Sequence, residues 1–170
     1  MISASQNSHR SSSTHITRIG GIDLSSWLSW ACYGLGFGLA AHLSPESIQD
    51  LVNGGNSLIV LVSAIAVFFT LILVIQQQMR VSLRNSSFGA PRKLTTEGFF
   101  ALSRNPMYVA FLIPILSLGF MSPLAAFGAA ALYMMGMNTL VIANEEEVLD
   151  ANFAGQYRRY CLATPRWLVW

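Results

Sequence analysis

The sequence predicts an all-α integral-membrane helical bundle, with about four transmembrane helices followed by a C-terminal interfacial amphipathic helix. Three observations carry this. The 170 residues are 53% hydrophobic and only 11% charged, against about 25% charge in soluble domains, so much of the surface must face lipid. Apolar runs recur near the length a bilayer crossing needs, roughly 17–25 residues. The ten Lys and Arg residues fall on alternate connections, as four crossings with both termini cytoplasmic require.

Residues 1–21, "MISASQNSHRSSSTHITRIGG", are rich in Ser and Thr and hold no apolar stretch. They read as a flexible cytoplasmic tail, not a secretory signal, and residues 22–170 as a single domain. Trp27 to Leu43 is the first apolar run. Its "YGLGFGLA" lacks the strand a nucleotide loop would follow, and Gly34 and Gly38, four apart, suit close helix packing. Leu58 to Ile75 is the second run and the most lipid-like. Pro106 to Ala143 is a third, broken near Gly119 to Pro123. Pro123 suits a first helical turn, so this stretch reads as two helices in a tight hairpin. Pro106 to Phe120 would reach about 22 Å at ~1.5 Å per residue, short for a span, and Pro114 favours a bend. Asn138 and Thr139, polar within the last span, suit interhelical hydrogen bonds.

Arg10 and Arg18 precede the first run, and the connection from Ala41 to Asn56 carries Glu46 and Asp50 but no Lys or Arg. Arg80, Arg84, Arg92, Lys93 and Arg104 lie between the second and third runs, and Arg158, Arg159 and Arg166 follow the fourth. In a bacterium the membrane would be the plasma membrane. A net charge of +2, with no basic run interleaved with aromatics, excludes nucleic acid as a partner. The two cysteines, Cys32 and Cys161, make no disulfide framework, and no metal-ligand spacing exists.

Two polar clusters break the apolar pattern. In "SRNPMY", Asn105 suits an N-cap and Pro106 a first turn, while Arg104 and Tyr108 suit membrane-edge anchors. In "NEEEVLDANFAGQYRRYCLATPRWLVW", Leu149, Phe153, Tyr157 and Tyr160 recur at helical spacing. The fourth helix should therefore continue along the interface as an amphipathic segment until Pro165, with Arg166, Trp167 and Trp170 as anchors. The adjacent Glu145, Glu146 and Glu147 repel one another. They are either a solvated helix face or a receptor for a cation. Anchoring explains each cluster alone; it does not explain two clusters on one membrane face in a chain with few charges.

"GFFALSRNPMYVAF", a hydrophobic hairpin, and "EEEVLDANFAGQYRRYCLATPRWL" resemble the isoprenylcysteine carboxyl methyltransferase and phospholipid methyltransferase superfamily. That pattern is similar to Arg-His/Asn-Pro-x-Tyr, then Glu-Glu-x-x-Leu-x-x-x-Phe-Gly-x-x-Tyr-x-x-Tyr and a terminal Pro-Arg. The resemblance covers roughly Leu94 to Leu168. It implies a membrane methyltransferase using S-adenosyl-L-methionine, held in a cytoplasm-facing pocket of the C-terminal half, about 92–170. Carried over by position, Lys93, Leu94, Thr95, Gly98, Phe100, Asn105, Pro106, Met107, Tyr108 and Glu145 would line the cofactor, with Gly98 bending the loop. Arg104, Glu146 and Arg158 would serve the chemistry: Arg104 or Arg158 as partner of a carboxylate, Glu146 as proton acceptor for an amine.

The chain departs from the pattern at three places. Phe100 stands where Tyr is usual. Ala154 replaces a Gly, a mild change if the segment is helical. Val141 stands where the prenylcysteine branch carries an Arg for the substrate carboxylate. The expected partners are membrane lipids and a lipophilic acceptor with a carboxylate, thiol or amine, entering from the bilayer between helices. Two rivals fit the same helical frame: an NADPH-dependent membrane reductase of related architecture, disfavoured by the short chain, and a non-catalytic lipid-binding scaffold.

Overall fold

The computed structural model describes residues 18–19, 22–84 and 94–168. Most of the expected tail, together with Arg92 and Lys93, lies outside the described residues. A two-residue bridge pairs β1 (Arg18–Ile19) antiparallel with β2 (Ile22–Asp23). The remaining elements are helical: α1 (Leu24–Leu43), α2 (Pro45–Val52), α3 (Asn56–Arg84), α4 (Phe99–Leu102), α5 (Pro106–Ser117), a 3₁₀ turn at Leu118–Phe120, α6 (Pro123–Gly136), a π-helical stretch at Met137–Ile142, and α7 (Ala143–Ala163).

Proline punctuates the chain as the sequence leads one to expect. Pro45, Pro106 and Pro123 each open a helix, where the missing N–H would have had no intrahelical partner. The Ser122 hydroxyl accepts from the Ala125 N–H, capping α6. Pro114 sits inside α5, which runs on to Ser117.

Contacts fix the helix directions. Gly36 of α1 meets Ala129 of α6, and Gly136 of α6 meets Leu28 of α1, so these two run antiparallel. Phe68 of α3 packs against Phe111 of α5 as a tilted pair, ring centroids 4.6 Å apart. Ile75 lies beside Pro106, while Leu61 shares a core cluster with Leu118, so α3 and α5 also run antiparallel. Trp30 stands edge-on to Tyr33, Phe68 and Phe111, tying α1, α3 and α5 together at mid-height. One end of the bundle carries α2 and the α5–α6 hairpin, joined where the Ser47 hydroxyl donates to the Met121 carbonyl at 3.3 Å. The other end carries the 94–105 connection and the chain after α6.

Two helical runs, Asn56–Gln78 and Pro123–Ala163, are long and apolar enough to cross a membrane; Pro106–Phe120 is apolar but shorter. Large apolar side chains such as Leu35, Val62, Phe69, Leu73, Phe127 and Met135 point outward, as expected of a lipid-facing surface.

Four details differ from the sequence reading. Gly34 and Gly38 face open space. The packing stripe is Ser25, Ser29, Cys32, Gly36 and Ala40, all buried, because the 3.6-residue period puts 32, 36 and 40 on one face. The connection from Ala41 to Asn56 is not all loop but contains α2, whose Asp50 accepts from the Ser57 N–H at 2.9 Å. That bond holds the Asp50 carboxyl below its usual range. Thr139 bonds within its own helix, to the Met135 carbonyl at 2.9 Å and that of Gly136 at 3.3 Å. The wide turns at Met137–Ile142 fall in the same place; such π turns are rare and often lie at functional sites.

A Cβ at Gly36 would come within 2.7 Å of the Ala129 Cβ and 3.0 Å of Leu118. Gly36→Leu should therefore lower stability by about 1–3 kcal/mol through overpacking, while Gly38→Leu, which meets open space, should raise it slightly through helix propensity. Thermal unfolding of the detergent-solubilised protein checks both.

Candidate functional site

Beyond α7, Pro165 cannot continue the helix, and Thr164 turns extended (φ −134°, ψ 128°). The chain then doubles back as a strap, Thr164–Leu168, along the entry to α5. The backbone N–H of Arg104 donates to the Pro165 carbonyl at 2.9 Å. The Arg166 carbonyl accepts from the Ser103 hydroxyl at 3.0 Å and from the Asn105 amide at 3.1 Å. The Ser103 oxygen in turn accepts from the Asn105 N–H at 3.1 Å. Asn105 thus occupies the N-cap position without a side-chain capping bond; the strap has claimed its side chain. Trp167 is buried, donates its indole N–H to the Asn138 side-chain oxygen at 3.1 Å, and sets its ring edge-on to Tyr133.

The charges converge on Glu146. Its Oε1 meets Arg104 Nη1 at 3.2 Å and Arg166 Nε at 3.0 Å, and its Oε2 accepts from Arg166 Nη2. A two-pronged guanidinium–carboxylate contact of this kind fixes orientation as well as attraction. The hydrogen bond to Glu146 raises the Arg166 guanidinium above its usual value, against the opposing effect of burial. Arg104 Nη1 also donates to Cys161 Sγ. Arg104 Nε is buried and has no hydrogen-bond partner among the described residues.

One position before Glu146 the geometry changes. Glu145, half-buried, accepts from the Tyr108 hydroxyl through Oε1 at 2.7 Å, across 37 positions of sequence. Tyr108 is held in turn: the wholly buried Tyr133 donates its hydroxyl to the Tyr108 carbonyl at 3.0 Å. The Tyr160 hydroxyl donates to the Phe100 carbonyl at 2.6 Å, tying α7 to the α4 turn. Adjacent helical residues point about 100° apart, so Glu145 and Glu146 serve different neighbours. Glu147 is exposed.

The structure thus gathers Arg104, Asn105, Tyr108, Glu145 and Glu146 at one end of the bundle. Pro106 is buried and Met107 half-buried in the first turn of α5. Leu94 and Thr95 lie half-buried on the coil approaching Gly98, and Phe100 is half-buried beyond it. Gly98 has φ 65° and ψ −127°. It makes the expected bend, and a Cβ there would run into the Gln78 side-chain amide, which donates to the Glu97 carbonyl at 3.0 Å.

Arg158 is not brought in. It is exposed and pairs with Asp150 at 3.2 Å. That pairing needs a bend, since eight positions on a straight helix span about 12 Å. The bend is at Ala154, whose φ of 40° and ψ of −115° are not helical. The amphipathic segment is therefore two short helices, and alanine in place of glycine at 154 is not mild. A side chain in this backbone region carries strain. The residue that sequence reasoning misjudged is Arg166, read as an interfacial anchor. The terminal Pro-Arg was the signal, and only the doubling-back of the strap reveals its use.

A family model described as Phospholipid methyltransferase matches residues 56–156, more than half of the chain. The chain belongs to the phospholipid methyltransferase family, one of membrane-associated methyltransferases with lipid-type substrates. The match takes in α3, the SRNPMY turn, the hairpin and both glutamates, and stops short of the strap. No curated protein and no solved structure matches the chain.

Ala154→Gly should raise stability by about 1 kcal/mol, the relief of roughly 1–3 kcal/mol of strain less about 0.5–1 kcal/mol of added backbone entropy. Gly155→Ala meets open space and should also raise stability, by about 0.5–1 kcal/mol, the same entropy term with the opposite sign. Thermal midpoints of the two variants, measured side by side, check the assignment of the bend.

Proposed function

We propose that the protein transfers a methyl group from S-adenosyl-L-methionine to a lipophilic acceptor at the cytoplasmic face of the membrane, as a four-crossing bundle with both termini cytoplasmic. The orientation is supported by charge. Arg104, Arg158, Arg159 and Arg166 lie at the end that carries the polar cluster, while the α2 end carries Glu46 and Asp50. Excess Lys and Arg marks the cytoplasmic side.

The observation that carries the reading is the Tyr108–Glu145 hydrogen bond beside the clamped Arg104. The groups fit the proposed donor chemically. A carboxylate next to a phenol suits an ammonium or ribose hydroxyls. Arg104, with its buried Nε lacking a partner among the described residues, suits a carboxylate. Asn105, Pro106, Met107, Tyr108 and Glu145 would hold the donor from α5 and α7; Leu94, Thr95, Gly98 and Phe100 would wall it from the preceding turn. Lys93, outside the described residues, is assigned to the same wall from the resemblance.

S-adenosyl-L-methionine supplies an electrophilic methyl on a sulfonium. The protein's own part is alignment and exclusion of water, and alignment can be worth about 7–11 kcal/mol. Glu145 and Tyr108 orient. Glu146, with both oxygens on guanidinium groups, is better suited to position Arg104 than to take a proton. Arg158, paired away with Asp150, has no evident part. Val141 is buried among Tyr133, Met137, Ile142 and Trp167, so no cation at that place can pair an acceptor carboxylate. This disfavours a prenylcysteine-like acceptor held from position 141.

Calorimetry in detergent should find saturable binding of S-adenosylmethionine and S-adenosylhomocysteine. Hydrogen bonds to charged groups contribute about 1.5–3 kcal/mol and each 1.4 kcal/mol is tenfold. Tyr108→Phe and Glu145→Gln should therefore weaken binding about 10- to 100-fold, with Arg158→Ala as the unaffected control. Unchanged affinity in both site variants, or displacement of the donor by NADPH, would overturn the reading.

A further inference from the structure

Between α3 and α5 lies a cavity of about 190 Å³. From α3 come Leu71 and Ile75, from α5 Val109 and Ile113, and its end nearest the polar cluster is formed by Ser103 and the strap's Leu168. Ser103 is the one polar residue in the lining, and its hydroxyl is engaged by the Arg166 carbonyl and the Asn105 N–H. Nothing there needs water. An apolar cleft of this kind offers water almost no hydrogen-bond partners and suits apolar guests. From Pro106 to Ile113 the cavity follows α5 for about 10 Å at ~1.5 Å per residue, the shape of a slot for a chain, not a plate.

A larger groove of about 410 Å³ runs between α1 and α6, lined by Leu28, Cys32, Leu132 and Leu140 among others. It shares no residue with the SRNPMY turn or the strap. The α3–α5 cavity shares Ser103 and Pro106 with the turn and Leu168 with the strap, so it abuts the segments that carry the polar cluster. Family membership supplies the chemistry of the guest, a lipid.

We propose that the α3–α5 cavity is the acceptor-tail subsite. It receives one aliphatic chain of the lipid acceptor, with the nucleophilic head at the N-terminal end of α5, beside Arg104 and Asn105. This rests on the methyl-transfer reading for the acceptor role, though occupancy by lipid can be read without turnover. In this arrangement α5 divides the site. Its 106, 109, 110 and 113 face takes the tail, while Tyr108 on another face meets Glu145. Leu168 couples the two through the strap.

The test uses the full chain in phosphatidylcholine nanodiscs doped with phosphatidylethanolamine bearing a diazirine in mid-chain. Adducts after irradiation are mapped by mass spectrometry. Adducts on the Leu71–Ile75 and Val109–Ile113 peptides should saturate and be competed by unlabelled phosphatidylethanolamine. Leu71→Trp and Ile113→Trp, both at half-buried positions, should fill the slot and cut those adducts at least fivefold, leaving S-adenosylmethionine affinity unchanged as proof of fold. Adducts that do not saturate, that ignore both fillings, or that saturate only on Leu132–Leu140 would overturn the subsite. Saturable adducts in a wild-type protein that binds no S-adenosylmethionine would leave a lipid slot but remove its acceptor role.

Discussion

The organisation of this protein depends on one carboxylate. Glu146 lies between two guanidinium groups, Arg104 at the entry to α5 and Arg166 on the strap after α7. Without it, two cations would face each other at the edge of an apolar bundle. With it, three segments that are remote in sequence share one charge balance. An ion pair so placed is weak evidence of stability, because desolvation offsets much of the attraction. Its consequence is geometric. Once Arg166 is fixed, its carbonyl meets Ser103 and Asn105, the Pro165 carbonyl meets the Arg104 N–H, and the turn before α5 is tied to the strap by three hydrogen bonds.

The same arrangement gives the neighbouring glutamates different partners. Glu146 is committed to the clamp, and Glu145, rotated away on the same helix, meets Tyr108. Tyr108 is itself held from behind by Tyr133, deep in the bundle. A polar site that is to align reacting groups needs side chains held by their own neighbours. Here each orienting group has a second group holding it in place.

The bundle was legible in the sequence because spans, prolines and charge alternation are local signals. Pro106 and Pro123 begin helices where expected, and "SRNPMY" meets the glutamates at one end of the bundle, as the sequence led one to expect. What the sequence hid was directional. Gly34 and Gly38 were the visible pair, but Gly36 packs, since only three-dimensional context says which helical face meets α6. Asn105 looked like a cap until the strap offered it a carbonyl. Ala154 looked helical because alanine is a good helix former, yet the backbone there takes a conformation that favours glycine. Arg166 looked like an anchor because its partner lies 20 positions upstream, across a bend that no periodicity announces.

The most direct measure of the clamp is amide hydrogen exchange at Arg104 and Asn105. In the wild-type protein these two N–H groups are bonded to the Pro165 carbonyl and the Ser103 hydroxyl. Arg166→Ala should accelerate their exchange tenfold or more, the equivalent of about 1.4 kcal/mol, while amides in the middle of α6 keep their protection. Unchanged exchange at Arg104 and Asn105 in that variant would contradict the claim that the strap holds the site together.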